Sequence, residues 1–173
     1  MRHLILLRHG TAASPVGIGD FDRPLQSRGR RDSVRIGEWL RAQNLTPDEL
    51  VCSSATRAME TAEHVRQGVA DPDLDIRHHR DLYLATPVRI LGAVRAASSD
   101  AKTVMLVGHN PGMAVLMAEL AGAYLEVPTG ALAVFQFAGD WDELKPDQAD
   151  LVHHVVPSIL FDSEPHSSTV RPG

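Results

Sequence analysis

Residues 103–112 read Thr-Val-Met-Leu-Val-Gly-His-Asn-Pro-Gly, and this stretch decides the fold class. Thr103 to Val107 is a short continuous apolar and β-branched run, as expected of a strand buried on both faces. Gly108-His109-Asn110-Pro111 then turns the chain into a segment where Met113, Met117 and Leu120 recur at helical spacing. Asn110 is the expected cap of that helix. A buried strand that turns directly into a helix is the repeating unit of a parallel α/β sheet.

The same unit recurs on either side. Toward the N-terminus, Leu4 to Leu7 is a second apolar run, ending at Arg8-His9-Gly10, and Ser27 to Gln43 reads as a helix with Ile36, Trp39 and Leu40 on its buried face. Leu50 to Cys52 ends another strand. Ser54 is the expected cap of the helix behind it, in which Ala58, Ala62 and Val65 face inward and Gly68 is placed to stop the helix. A weaker strand covers Leu74 to His78, and Thr86-Pro87 opens a helix with Ile90, Leu91 and Val94 inward. Downstream, Ala131 to Phe137 and Leu151 to Val156 read as two strands joined as a hairpin. The pattern predicts a three-layer α/β/α sandwich around a mixed, mainly parallel sheet. It places one domain over residues 1–157 and a loose polar tail over residues 158–173.

Composition narrows the function classes. The chain has 173 residues, a formal charge of −5 and 43% hydrophobic residues, enough for one self-sufficient core. It has two lysines, Lys102 and Lys145, and no basic tail. The six arginines between Arg23 and Arg41 are interrupted by acidic residues such as Asp32 and Glu38, so they read as a solvated helix face, and no nucleic-acid partner is expected. Cys52 is the only cysteine, which removes a disulfide scaffold and suggests a reducing compartment. No apolar run approaches the roughly 18 residues of a membrane span, so neither a membrane partner nor a leader is expected, and the predicted location is cytoplasmic.

Three segments place a cation or an imidazole just beyond a predicted strand: Arg8-His9-Gly10, Ser53 to Arg57, and Gly108-His109-Asn110. The carboxyl ends of parallel strands converge on one sheet edge, where ligand crevices form. Two arginines, two histidines and two helix N-termini meeting there would make an anion site suited to phosphate. Rival chemistries fit less well. Nine histidines invite a metal, yet there is no His-Glu-x-x-His helix, and the pairs His78-His79 and His153-His154 point to opposite faces of their strands, so no metal and no cofactor is expected. A cysteine-dependent phosphatase needs an arginine six positions after its nucleophile. Arg57 stands five after Cys52, and Val51 replaces the usual preceding histidine. There is no Gly-x-x-x-x-Gly-Lys loop for ATP.

The segments "LILLRHGTAA", "RPLQSRGR", "SSATRAMETA" and "VGHNPG", in that order, resemble the histidine phosphatase superfamily, also called phosphoglycerate mutase-like. The compact chain is most similar to the short SixA-type phosphohistidine phosphatases. The resemblance implies a metal-independent phosphatase in which His9 is the nucleophile and Arg8, Arg57 and His109 form the phosphate pocket, with backbone amides after Gly10 and Asn110 as further donors. For the acid that the family usually supplies to the leaving group, Asp81 is the candidate, because it follows the third strand by a few residues; Asp20 and Asp22 compete with it. Only about a dozen residues separate Gly10 from Arg23, so the implied site is open, which favours a protruding phosphohistidine on a protein as substrate. The alternatives are a small-molecule phosphomonoesterase, a mutase, and a non-catalytic phosphate-binding module.

Overall fold

A computed structural model describes residues 1–162 of the chain. Six strands form one sheet: β1 (Arg2–Arg8), β2 (Glu49–Ser53), β3 (Ile76–His79), β4 (Thr103–Gly108), β5 (Leu132–Phe137) and β6 (Asp150–Val155), in the order β3-β2-β4-β1-β5-β6. The first four are mutually parallel. β5 runs antiparallel to β1, and β6 antiparallel to β5.

β1 and β4 lie side by side in the middle, with Leu4 opposite Val104 and Leu7 opposite Val107. Because successive side chains point to opposite faces, the continuous apolar runs feed two cores at once. Leu4, Leu6, Val104 and Leu106 pack with helices α3 (Pro87–Arg95) and α4 (Gly112–Ala121), while Ile5, Leu7, Met105 and Val107 pack with α1 (Ser27–Ala42) and α2 (Thr56–Val69). The result is the expected α/β/α sandwich. The connection from β5 to β6 is anchored by Trp141, which is buried and donates its indole N–H to the Ala101 carbonyl at 2.7 Å.

Four local expectations are corrected. Gly68 does not stop α2. The helix runs one residue further and is closed by Ala70 in a left-handed conformation (φ 59°), while Gly68 lies inside it against Gly37 of α1. A Cβ at Gly68 would stand 2.1 Å from the Val34 carbonyl oxygen and 2.8 Å from the Gly37 Cα, so the pair of glycines is what lets the two helices touch backbone to backbone. Ser54 is not the cap of α2. Ala55 holds that position, and its N–H donates to Ser53 Oγ at 3.2 Å. Asn110 likewise gives way to Pro111 at the start of α4. Finally, the tail expected from residue 158 begins as a short helix, α5 (Pro157–Phe161). Phe161 packs against the α1/α2 core under the Arg35 guanidinium, and Asp162 pairs with Arg28 of α1 at 3.0 Å. The remainder, residues 163–173, lies outside the described residues.

Candidate active site

β1 and β4 end level with one another, Arg8 opposite Gly108, and this register sets the site. The next residue on each chain is a histidine, so the rings of His9 and His109 come to rest with centroids 5.1 Å apart. Arg57, in the first turn of α2, brings its guanidinium to the same point: its Nε–H donates to His9 Nε2 at 3.3 Å. Arg8, His9, Arg57 and His109 share the lining of a cavity of about 260 Å³, together with Arg23, Thr11, Asn110 and Thr129. His9, Arg57 and His109 are each at most 6% exposed.

Hydrogen bonding fixes which nitrogen of His9 is available. Nδ1 lies 2.8 Å from the Gly10 carbonyl, which can only accept, so Nδ1 carries the proton and Nε2 keeps its lone pair. Burial, reinforced by Arg57, Arg8 and Arg23 against the Gly10 hydrogen bond, pushes the His9 pKa down from 6.5 to about 4. Burial is thus the largest cause, and the cations add to it after the opposing Gly10 hydrogen bond. His109 is pushed down to about 3, again by burial first, then by His9 and Arg57. Both rings are neutral near pH 7.

His109 Nε2 sits 2.8 Å from Ser53 Oγ. Ser53 Oγ accepts the Ala55 N–H and has one hydroxyl proton to give; in the arrangement where it gives that proton to Nε2, the His109 proton is on Nδ1. That Nδ1 is buried without a partner, as are Arg8 Nε and Asn110 Oδ1. Among the described residues these are the only buried side-chain polar atoms left unpaired, and all three belong to residues lining this one cavity. Unpaired buried polar groups are rare in folded proteins, and two of these three, Arg8 Nε and His109 Nδ1, belong to residues suited to an oxyanion, whereas Asn110 Oδ1 can only accept.

Two expected phosphate ligands sit differently. The Gly10 N–H is taken by Thr61 Oγ1 at 3.0 Å, and Gly10 presses on Gly29 of α1, where a Cβ would meet the carbonyl oxygen at 3.0 Å. Gly10 therefore serves close packing. Asn110 does line the cavity, but with its side chain, whose Nδ2 donates to the Val127 carbonyl at 2.9 Å.

Asp81 is not in the site. The single turn Arg80–Leu82 directs its carboxylate outward, where it pairs with Arg89 at 3.0 Å and faces a separate groove between β3 and α3. The acid that does reach the site is Asp20. The loop after β1 folds back so that Arg57 Nη1 donates to the Asp20 carbonyl at 2.6 Å and Nη2 to its carboxylate at 3.1 Å; Arg23 and the Tyr83 hydroxyl donate to the same carboxylate. Those hydrogen bonds, Tyr83 first, hold Asp20 well below the ordinary carboxylate range, so it is ionised. Cys52 is buried, and its thiol is pushed up to about 12, an inert group.

The geometry accords with relatives. Residues 4–83 match the model of the histidine phosphatase superfamily (branch 1). An uncharacterized protein of Mycobacterium tuberculosis is 35% identical over 162 residues, covering 87% of this chain and 99% of that protein. The chain belongs to the histidine phosphatase superfamily. A structure assigned as phosphohistidine phosphatase SixA from Nakamurella multipartitia superposes with a TM-score of 0.80 at 31% identity, covering 90% of this chain and 96% of that one. A second, assigned likewise, from Agrobacterium tumefaciens, gives 0.77 at 27% identity, covering 90% and 98%. The fold is the phosphoglycerate mutase-like sandwich of SixA, and superfamily membership together with the SixA-like neighbours supports a phosphatase.

Proposed function

We propose that the protein is a metal-independent phosphohistidine protein phosphatase that works through a phosphohistidine on His9. In this reading His9 Nε2 attacks phosphorus in line, the bond from phosphorus to the leaving atom breaks, and water later hydrolyses the phosphohistidine, so that one difficult displacement becomes two easier ones. The Arg8, Arg57 and Arg23 guanidinium groups neutralise the equatorial oxygens, the part a metal ion plays in other phosphoryl-transfer sites. His109 Nδ1–H and Arg8 Nε–H, which have no partner within the protein, are the donors an incoming phosphoryl group would satisfy.

The observation that carries the choice of substrate concerns protons. Asp81 faces away and Asp20 is held ionised, so neither carboxylic acid is placed to protonate a departing alkoxide. An alkoxide needs that help. An imidazole, titrating near 6.5, departs with a proton from solvent. The SixA-type relatives carry the same substrate in their assignments.

The test is a rapid-quench experiment with a ³²P-phosphohistidine protein and an alkyl phosphate side by side. A labelled enzyme that is acid-labile and base-stable, no turnover in His9→Ala, and a strong preference for the phosphohistidine substrate are the expected results. Full activity in His9→Ala, a strict requirement for added Mg²⁺ or Zn²⁺, or equal rates on alkyl phosphates would overturn the reading.

A further inference from the structure

The guanidinium edge of Arg57 spans two different neighbours. Its Nε–H points to His9 Nε2 and its Nη2 to the Asp20 carboxylate. In-line attack puts the leaving group on the side of phosphorus away from His9 Nε2, and Asp20 stands at the other end of the Arg57 guanidinium from that nitrogen. The Asp20 carboxylate is fixed from three sides, by Arg57, by Arg23 Nη1 at 3.0 Å and by the Tyr83 hydroxyl, whose ring stands edge-on to His109 with centroids 5.4 Å apart. It is also half-exposed, beside the two lining arginines Arg23 and Arg57.

Charge accounting at the cavity is equally specific. Arg8, Arg23 and Arg57 bring three positive charges, Asp20 cancels one, and the two neutral imidazoles add none. The remaining two match a single phosphoryl dianion. Among the described residues the cavity lining offers a second anionic group no further cation, and the fixed Asp20 carboxylate stands between it and Arg80, whose guanidinium lies over Phe21.

We propose that Asp20 is a specificity-determining residue that turns away phosphorylated compounds carrying a second anionic group beside the phosphoryl group and admits those whose leaving group is neutral or cationic. Specificity of this kind comes from a repulsive element built against the wrong ligand. The imidazole of a phosphohistidine satisfies the rule, and so does an uncharged alcohol or phenol. Phosphorylated acids and polyphosphates do not. The inference rests on the cavity being the phosphate site, not on turnover or on which neutral leaving group is used.

Ethyl phosphate and phosphoglycolate are nearly isosteric and differ by the carboxylate, so their affinities for the full-length protein, measured by calorimetry, isolate the effect. The wild type should bind ethyl phosphate at least about tenfold more tightly, and the gap should shrink as salt is raised, since the repulsion acts at a partly exposed group. Asp20→Asn keeps an acceptor oxygen for Arg57 while removing the charge, and should bring the two affinities within about threefold. Equal affinities in the wild type, or a gap unchanged by both salt and Asp20→Asn, would overturn the proposal. The wild-type comparison and its salt dependence decide the matter even where the variant folds poorly. A protein that hydrolyses nothing but shows the gap would refute the phosphatase reading alone.

Discussion

Lowering the pH is the perturbation that most directly probes why His9 is buried. An unperturbed histidine is only about three per cent neutral at pH 5, whereas one with the His9 pKa of about 4 is roughly nine-tenths neutral, a thirtyfold difference in the supply of nucleophile. The free enzyme should therefore form its phosphoenzyme at pH 5 at nearly the rate seen at pH 7, once the ionisation of the substrate is allowed for. Stability follows the same group. His9 binds a proton more readily unfolded than folded, so its contribution is complete above pH 6.5 and is lost as pH falls toward 4, by about 3 kcal/mol. His109, displaced in the same direction, loses its share over a window that extends lower, toward pH 3. Single-turnover phosphorylation across pH 4 to 8, with ¹⁵N spectra of the ring nitrogens, reads the first effect, and urea unfolding at the same pH values reads the second. In His9→Gln the part of the acid sensitivity due to His9 should disappear. A His9 titration in the folded protein near 6.5, or an Nδ1 without its proton at pH 7, would refute the reasoning.

Other perturbations give sharper contrasts between neighbouring residues. Gly68→Ala should cost about 1–3 kcal/mol or more in urea unfolding, because the added methyl runs into the Val34 carbonyl and the Gly37 backbone, neither of which can rotate away. Asp81→Asn removes one exposed ion pair and should change stability by less than about 1 kcal/mol, leaving turnover of every phosphorylated substrate unchanged. Cys52→Ala should likewise spare turnover, and thiol reagents should not inhibit the native protein, since its only thiol is buried and protonated. Ser53→Ala strips His109 Nε2 of its partner; it should lower phosphoryl transfer by at least about tenfold and expose a change of His109 tautomer in ¹⁵N spectra.

The sheet and the four residues that meet at its edge were legible in the linear pattern, because continuous apolar runs and what stands directly after them are local properties. Arg8, His9, Arg57 and His109 come together simply by following β1, β2 and β4 to their ends. What could not be read depends on contacts between distant segments. A glycine that stops a helix and a glycine that lets two helices touch look alike in sequence, and only the approach of α1 makes Gly68 the second kind. Asp81 stood at the expected distance from the third strand, but one short turn aims it at Arg89. Arg23 was visible in "RPLQSRGR" without a role, which it gains when the loop after β1 folds back and carries Asp20 onto Arg57. For Ser53 no local pattern distinguishes a buried partner of His109 from an ordinary strand-end serine.

The central position of β1 has a consequence for how the protein is made. The strand that ends at Arg8, beside His9, is made before both of its neighbours in the sheet, β4 and β5, which follow it by about a hundred residues of chain. Until Phe137 has emerged, one edge of β1 has no partner and its apolar faces are incompletely covered, so nascent chains must hold a hydrophobic strand in waiting while the residues between are made. Chaperones that shield such segments would meet this chain early, and stalled products ending before residue 103 would lack both His109 and the strand that aligns His9.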